Sequence, residues 1–269
     1  MDAFFIYGFL QRALLTGLFI AIACALLGIF LILRRDAMIG HGLAHVAFAG
    51  VALGLFLNMT PLGVALIVAV GASWIMMKLK TKAGLYSDTA IAIFSSAGFA
   101  LGVLVASLSH SFNIDLFSYL FGEILAIETS EVIFSVILAV IIVALVFLNY
   151  HKFMYMTFDR ESAKASGIKV DRLDALLTIL TAVTVVLGMK VVGILLVSAL
   201  VVIPAAAGLQ IASNFRQAIY FSTGVSVFSV VFGLIFAFVL DIPASGSIVI
   251  LSCMAFGILF LFRKTKKMV

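Results

Sequence analysis

Charge is what this chain has least of. Only 11% of its 269 residues are Asp, Glu, Lys or Arg, where a soluble domain carries about 25%. Hydrophobic residues make up 65%, and the mean hydropathy is +1.31. So little polar surface cannot cover a globule in water, so lipid is the solvent these residues require. Cysteine is scarce too. Cys24 and Cys253 both lie inside apolar runs, which excludes a disulfide framework and a cysteine-based zinc knuckle. The "AIAC" ending at Cys24 looks like a cleavage site, but its apolar run continues to Leu33 and stops at Arg34 and Arg35. It reads as a spanning helix with no cleaved signal. No Walker-type GxxxxGK[ST] occurs, and no loop is long enough to fold as a separate soluble domain. Residues 1–269 therefore read as one transmembrane domain with no nucleotide-binding domain of its own. The net charge of +5 does not indicate a nucleic-acid partner, because the basic residues sit in short clusters between apolar runs.

What is present is a series of uncharged runs: 13–33, 46–77, 89–114, 132–151, 175–189, 191–215, 217–240 and 242–262. A spanning helix needs about 20 apolar residues. The second run is too long for one helix and splits at "NMTP" (58–61), a turn closed by Pro61. The polar stretch 113–131 reads as an interfacial or re-entrant helix. The run 175–189 is short and reads as a broken helix, of the kind tolerated where backbone is buried in protein. The expectation is an all-α polytopic protein with about nine crossings, eight being the nearest alternative. With the N-terminus outside and the C-terminus cytoplasmic, all but Arg12 and Lys190 of the 17 basic residues fall on the cytoplasmic side. Glycines at small-xxx-small spacing, Gly50/Gly54 and Gly98/Gly102, suit close helix packing.

Within "MIGHGLAHVAFAG" (38–50), His41 and His45 stand four residues apart and share one helical face. Neutral imidazole binds zinc and related ions, and ionisable residues in a membrane segment usually face a cavity or a partner. The plainer reading is two solvated histidines at the membrane edge, just after Arg34–Asp36. A pair also leaves a four-ligand site half filled, and a symmetric dimer could supply the rest. The H-E-x-x-H arrangement of intramembrane metalloproteases has the same spacing, but Gly42 occupies the place of the general base and cannot move a proton.

Three segments together resemble one family, the membrane permeases of ABC importers for zinc and manganese ions. They are "FLILRRDAMIGHGLAHVAFAGVALGL" (30–55), "SYLFGEILAI" (118–127) and "GILLVSALVVIPAAAG" (193–208). The resemblance implies an all-helical homodimeric permease in the cell membrane, with the metal path between two copies. Separate ATP-binding cassette ATPase subunits drive it, and an extracytoplasmic solute-binding protein delivers the ion. It implies no permanently bound cofactor. Zinc or manganese is cargo, with iron a further alternative. His41 and His45 match the family's transient ligand positions, but His41 stands where an aspartate is usual. Four nitrogens in a dimer suit zinc better than manganese.

The segment 158–174 is placed by the resemblance as the piece that couples to the ATPase, with Asp159, Glu161, Ala165 and Gly167 as coupling residues. By its own chemistry Asp159 suits an N-cap and Gly167 a helix stop. Pro204 reads as a helix bend lining the path or shaping the packing. Lys190 reads as snorkelling to the outer interface. Asp115, Glu123, Glu128 and Glu131 give the outer stretch a negative bias. A secondary metal transporter is disfavoured, because carboxylates are nearly absent from the spans.

Overall fold

The computed structural model describes residues 8–82, 87–108, 114–122 and 127–266. Twelve helices run through these residues: α1 Gly8–Leu33, α2 Ile39–Phe56, α3 Pro61–Lys82, α4 Ser87–Leu108, α5 Ile114–Phe121, α6 Thr129–Leu148, α7 Tyr150–Phe158, α8 Arg160–Ala165, α9 Val170–Val192, α10 Ile194–Ile211, α11 Phe215–Leu240 and α12 Ala244–Lys266. All except α5, α7 and α8 are long and apolar enough to cross a membrane, which makes nine spans. Helix is the form this sequence needs, since it satisfies every backbone polar group within the segment where lipid offers no partner.

The spans sort into two layers. In α1, α2 and α9, 72% of the apolar window is buried, against 33% or less in α3, α4, α6, α11 and α12. The outer helices show large apolar side chains such as Ile67, Leu104 and Leu148, 59–79% exposed, a surface suited to lipid chains. Small residues bring the inner helices against their neighbours. A Cβ on Gly28 of α1 would run into the backbone of Val201 on α10, and one on Gly50 of α2 would meet Ala65 of α3. Interhelical hydrogen bonds add to this, with Ser226 Oγ donating to the Ala21 carbonyl at 3.0 Å. Phe30 is fully buried and packs against Phe153 and Phe215, at ring-centroid distances of 5.5 and 5.4 Å. It thereby ties α1 to α7 and α11.

The turns follow local chemistry. The chain leaves α2 through Asn58 at φ +53°, with Met59 N–H donating to the Gly54 carbonyl and Asn58 N–H to the Leu55 carbonyl. This is the doubly bonded stop that Asn can form in the left-handed region. Pro61 then opens α3, the helical position where a missing N–H costs least. The 58–61 turn thus divides the long run as expected.

Residues 170–192 differ from expectation: α9 is one unbroken helix. The charges beside its apolar run have partners, Asp174 two arginines and Lys190 Glu131, so no break is needed to expose them. Lys190 also differs from the snorkelling expectation. Its side chain is 17% exposed and lies 3.0 Å from Glu131 Oε1, with its ammonium 4.7 Å from the Tyr119 ring centroid. The short α5 packs beside α2, α9 and α10. Backbone meets backbone there, because Gly122 and Gly193, both at positive φ, sit too close for any Cβ. Gly193 alone separates α9 from α10. Gly188 faces Val197 across this turn, so the two helices run back along each other.

Candidate functional site

His41 and His45 lie in the first two turns of α2, both half-buried. Their Nε2 atoms are 3.2 Å apart, with the rings edge to face at 89°. The contact is a hydrogen bond between ring nitrogens, its donor set by the tautomers. A tetrahedral zinc with Zn–N near 2.0–2.1 Å holds its nitrogens about 3.3 Å apart. The two atoms therefore already stand at a chelating separation. Among the described residues, no cluster of three or more His, Cys, Asp or Glu able to hold a metal forms.

The pair is positioned by α4. Gly98 lies against the backbone of Val46 and the carbonyl of His45, and Gly102 lies against Phe48. Gly42, which stands where a protease would need its glutamate, is buried against Ile91, and a Cβ there would come within 2.8 Å of Ile91 Cγ2. Phe99 closes one side of His45 at 5.3 Å. On the other side, His41 lines a cavity of about 310 Å3 with Met38, Asp88, Ser95 and Ser96. His41 thus opens onto a recess lined by Asp88, Ser95 and Ser96 among apolar neighbours Met38, Ile91 and Ala92, while the rest of α2 is largely sealed.

Asp159, Glu161, Ala165 and Gly167 gather at a different place. Asp159 Oδ1 accepts from Ser162 N–H at 2.9 Å and caps α8. Ser162, through its side chain first and its backbone N–H second, holds the Asp159 carboxyl below its ordinary value. Gly167, at φ +81°, ends the helix. Its N–H donates to the Lys164 carbonyl, and Ile168 N–H donates to the Ala163 carbonyl, closing the six-residue helix at both ends. Asp159, Glu161, Ala165 and Gly167 are all exposed. Pro204 is remote from both groups. It lies buried within α10, one residue before Ala205, whose carbonyl accepts from Ser222 of α11. Glu123 lies outside the described residues.

One constellation was not visible in the sequence. Arg34 Nη2 lies 2.6 Å from Asp174 Oδ1 and 3.5 Å from Asp36 Oδ2. Arg160 Nη1 lies 2.6 Å from Asp174 Oδ2, and Lys80 Nζ lies 2.7 Å from Asp36 Oδ1. The Arg34, Asp36 and Asp174 side chains are 11% exposed or less. Each buried member has two partners of opposite charge: Asp174 has Arg34 and Arg160, Arg34 has Asp174 and Asp36, and Asp36 has Arg34 and Lys80. The constellation's only sequence signal was an aspartate at the start of an apolar run, which does not say what it meets.

The molecule is a polytopic helical membrane protein with a histidine pair on α2, one member of which lines a recess against α4. The family model of the ABC 3 transport family matches residues 6–263, and the chain belongs to that family. It is 32% identical over 262 residues to the manganese transport system membrane protein MntC of Listeria innocua, covering 95% of this chain and 91% of that one. It is equally 32% identical, over 254 residues, to the high-affinity zinc uptake system membrane protein ZnuB of Haemophilus influenzae, covering 94% and 97%. The solved structure of PsaBC from Streptococcus pneumoniae in complex with Fab superposes with a TM-score of 0.87 at 30% identity, covering 96% of this chain and 93% of that one.

Proposed function

We propose that this chain is the membrane permease of an ABC importer that carries a divalent transition metal, zinc foremost, into the cytoplasm. Two copies form the path in the cell membrane, with His41 and His45 of each as transient ligands. Separate ATPase subunits dock on 159–167, and an extracytoplasmic binding protein loads the ion. The N-terminus lies outside and the C-terminus inside. Pro204 shapes α10 beside the path.

The observation that carries this reading is the 3.2 Å separation of the two Nε2 atoms, which suits one shared ion. Two nitrogens leave a tetrahedral shell half empty, and a second copy completes it with the same ligands. An all-nitrogen shell favours zinc, whereas manganese prefers carboxylate and water oxygens. The relatives are named for both ions, so the ligand chemistry of this chain is the discriminating argument. The orientation is supported by Arg34, Arg35, Lys78, Lys80 and Arg160 gathering at the membrane end opposite Arg12 and Lys190.

The test is metal-dependent ATPase stimulation of the reconstituted permease, ATPase and binding protein, with zinc against manganese, for the wild type and His41→Asp. Zinc stimulation of the wild type, with a manganese response gained by the variant, is the expected result. Identical responses of both proteins to both metals would overturn the selectivity role of the pair. Absence of any metal response would overturn metal import.

A further inference from the structure

The ion-pair network at the Arg34 end joins two regions that the sequence keeps far apart. Arg160 is the first residue of α8, directly after the Asp159 cap. Through Asp174 it reaches α9, through Arg34 the end of α1, and through Asp36 the turn that opens α2. The Asp36 carbonyl accepts from Ile39 N–H, the first residue of α2, and His41 follows two residues later. The same carboxylate holds α3 and α4, since Oδ1 takes Lys80 Nζ at 2.7 Å and Ser87 Oγ at 2.6 Å. All three helices around the histidine pair are therefore tied to one aspartate.

The network is stiff but has a second arrangement available. Its charges alternate in sign, so displacing one member drags its neighbours or leaves a buried charge bare. Arg34 Nη2 contacts both Asp174 and Asp36, the second at the longer 3.5 Å, and Arg34 Nη1 is buried with no hydrogen-bond partner. Arg34 can thus shift its weight from Asp174 to Asp36 when Arg160 competes for Asp174. Arg35, next to it, sits at φ +60°, a conformation that costs a non-glycine residue and persists only where neighbours impose it.

We propose that the chain of pairs Arg160–Asp174–Arg34–Asp36 transmits the position of the 159–167 segment to the start of α2, making Arg160 and Asp174 positioning residues for the histidine pair. This rests on the reading of 159–167 as the ATPase docking segment. Movement of α8 on docking changes Arg160's hold on Asp174. Arg34 then redistributes between its two carboxylates, and Asp36 moves the first turn of α2 relative to α3 and α4.

The experiment measures metal ions imported per ATP hydrolysed by the complete importer in proteoliposomes. Arg160 is the residue to change, because its side chain is 40% exposed and Asp174 keeps Arg34 when it is lost. Arg160→Gln is expected to lower the ratio about fivefold or more, the range of a typical coupling energy. Arg160→Lys, still able to reach Asp174, is expected to restore it at an unchanged thermal midpoint. An unchanged ratio in Arg160→Gln overturns the relay. So does a loss of import and hydrolysis together that tracks lost thermal stability. A parallel Ala165→Cys cross-link to the ATPase, in a Cys253→Ser background, separates the two readings. No cross-link means that docking at 159–167 fails and the relay with it. A cross-link with an unchanged ratio means that the relay alone fails.

Discussion

Gly98 of α4 lies so close to Val46 of α2 that a Cβ built on it would stand 2.8 Å from the Val46 Cα. His45 precedes that contact, and its carbonyl is 3.0 Å from the same point. Gly98→Leu is therefore expected to push α4 off the histidine helix at about 1–3 kcal/mol of overpacking, lowering the thermal midpoint and the metal-stimulated ATPase together. Gly71→Ala serves as the contrast, since its Cβ would meet nothing within 4 Å. Loss of a helix-interior glycine there stabilises by about 0.5–1 kcal/mol. Equal tolerance of both substitutions in a melting assay would contradict the close approach.

Single replacement of His41 or His45 by Ala removes one nitrogen of a pair already at chelating distance. Titration calorimetry of the purified permease with zinc is expected to show affinity falling about tenfold or more, equivalent to 1.4 kcal/mol. Retained wild-type affinity in both variants would exclude the pair as a binding element.

Lys190 and Glu131 join α9 to α6 with side chains 17% and 22% exposed. Each single change, Lys190→Met or Glu131→Gln, strands the other partner and is expected to cost about 1–3 kcal/mol. The double variant should cost less than the sum of the two. Strict additivity in the thermal midpoints would mean that the contact contributes nothing of its own.

Gly167 holds φ +81° with open space around it, so the backbone conformation alone opposes a side chain there. Gly167→Val is expected to cost about 1–2 kcal/mol and to uncouple hydrolysis from import while leaving expression intact. Import per ATP equal to wild type would remove Gly167 from the coupling residues.

Asp159 caps α8 as a carboxylate held below its ordinary acidity range by Ser162. The sign follows directly. A carboxyl with a lowered folded pKa favours the folded segment above its unfolded value and loses that contribution as pH falls through the folded one. The protection factor of Ser162 N–H, with the intrinsic pH dependence of exchange divided out, should therefore fall on acidification in the wild type. Asp159→Asn keeps a capping oxygen without the charge, so its protection should be independent of pH. Identical pH profiles for the two would deny the cap its ionic character.

Much of this architecture was legible because lipid imposes simple rules. Run length counted the nine spans, Asn58 and Pro61 marked the turn between α2 and α3, and Asp159 and Gly167 marked both ends of α8. The i, i+4 spacing alone put His41 and His45 on one face. The readings that differed concern charges whose partners are remote in the chain. The short run 175–189 suggested a broken helix and Lys190 a snorkelling end, yet α9 is continuous, with Arg34 and Arg160 beside Asp174 and Glu131 beside Lys190. Nothing local in a sequence says that a carboxylate will find a guanidinium 140 residues away.

Sequence by itself determined the solvent, the number of spans to within one and the capping chemistry, because these depend on residues near one another in the chain. Tertiary structure decided which helices are inner, how near His41 stands to a recess, and that Asp36 gathers Arg34, Lys80 and Ser87 around one carboxyl. Those outcomes depend on where glycines let backbones meet. Close approach and charge pairing are properties of two surfaces at once, and neither surface encodes the other.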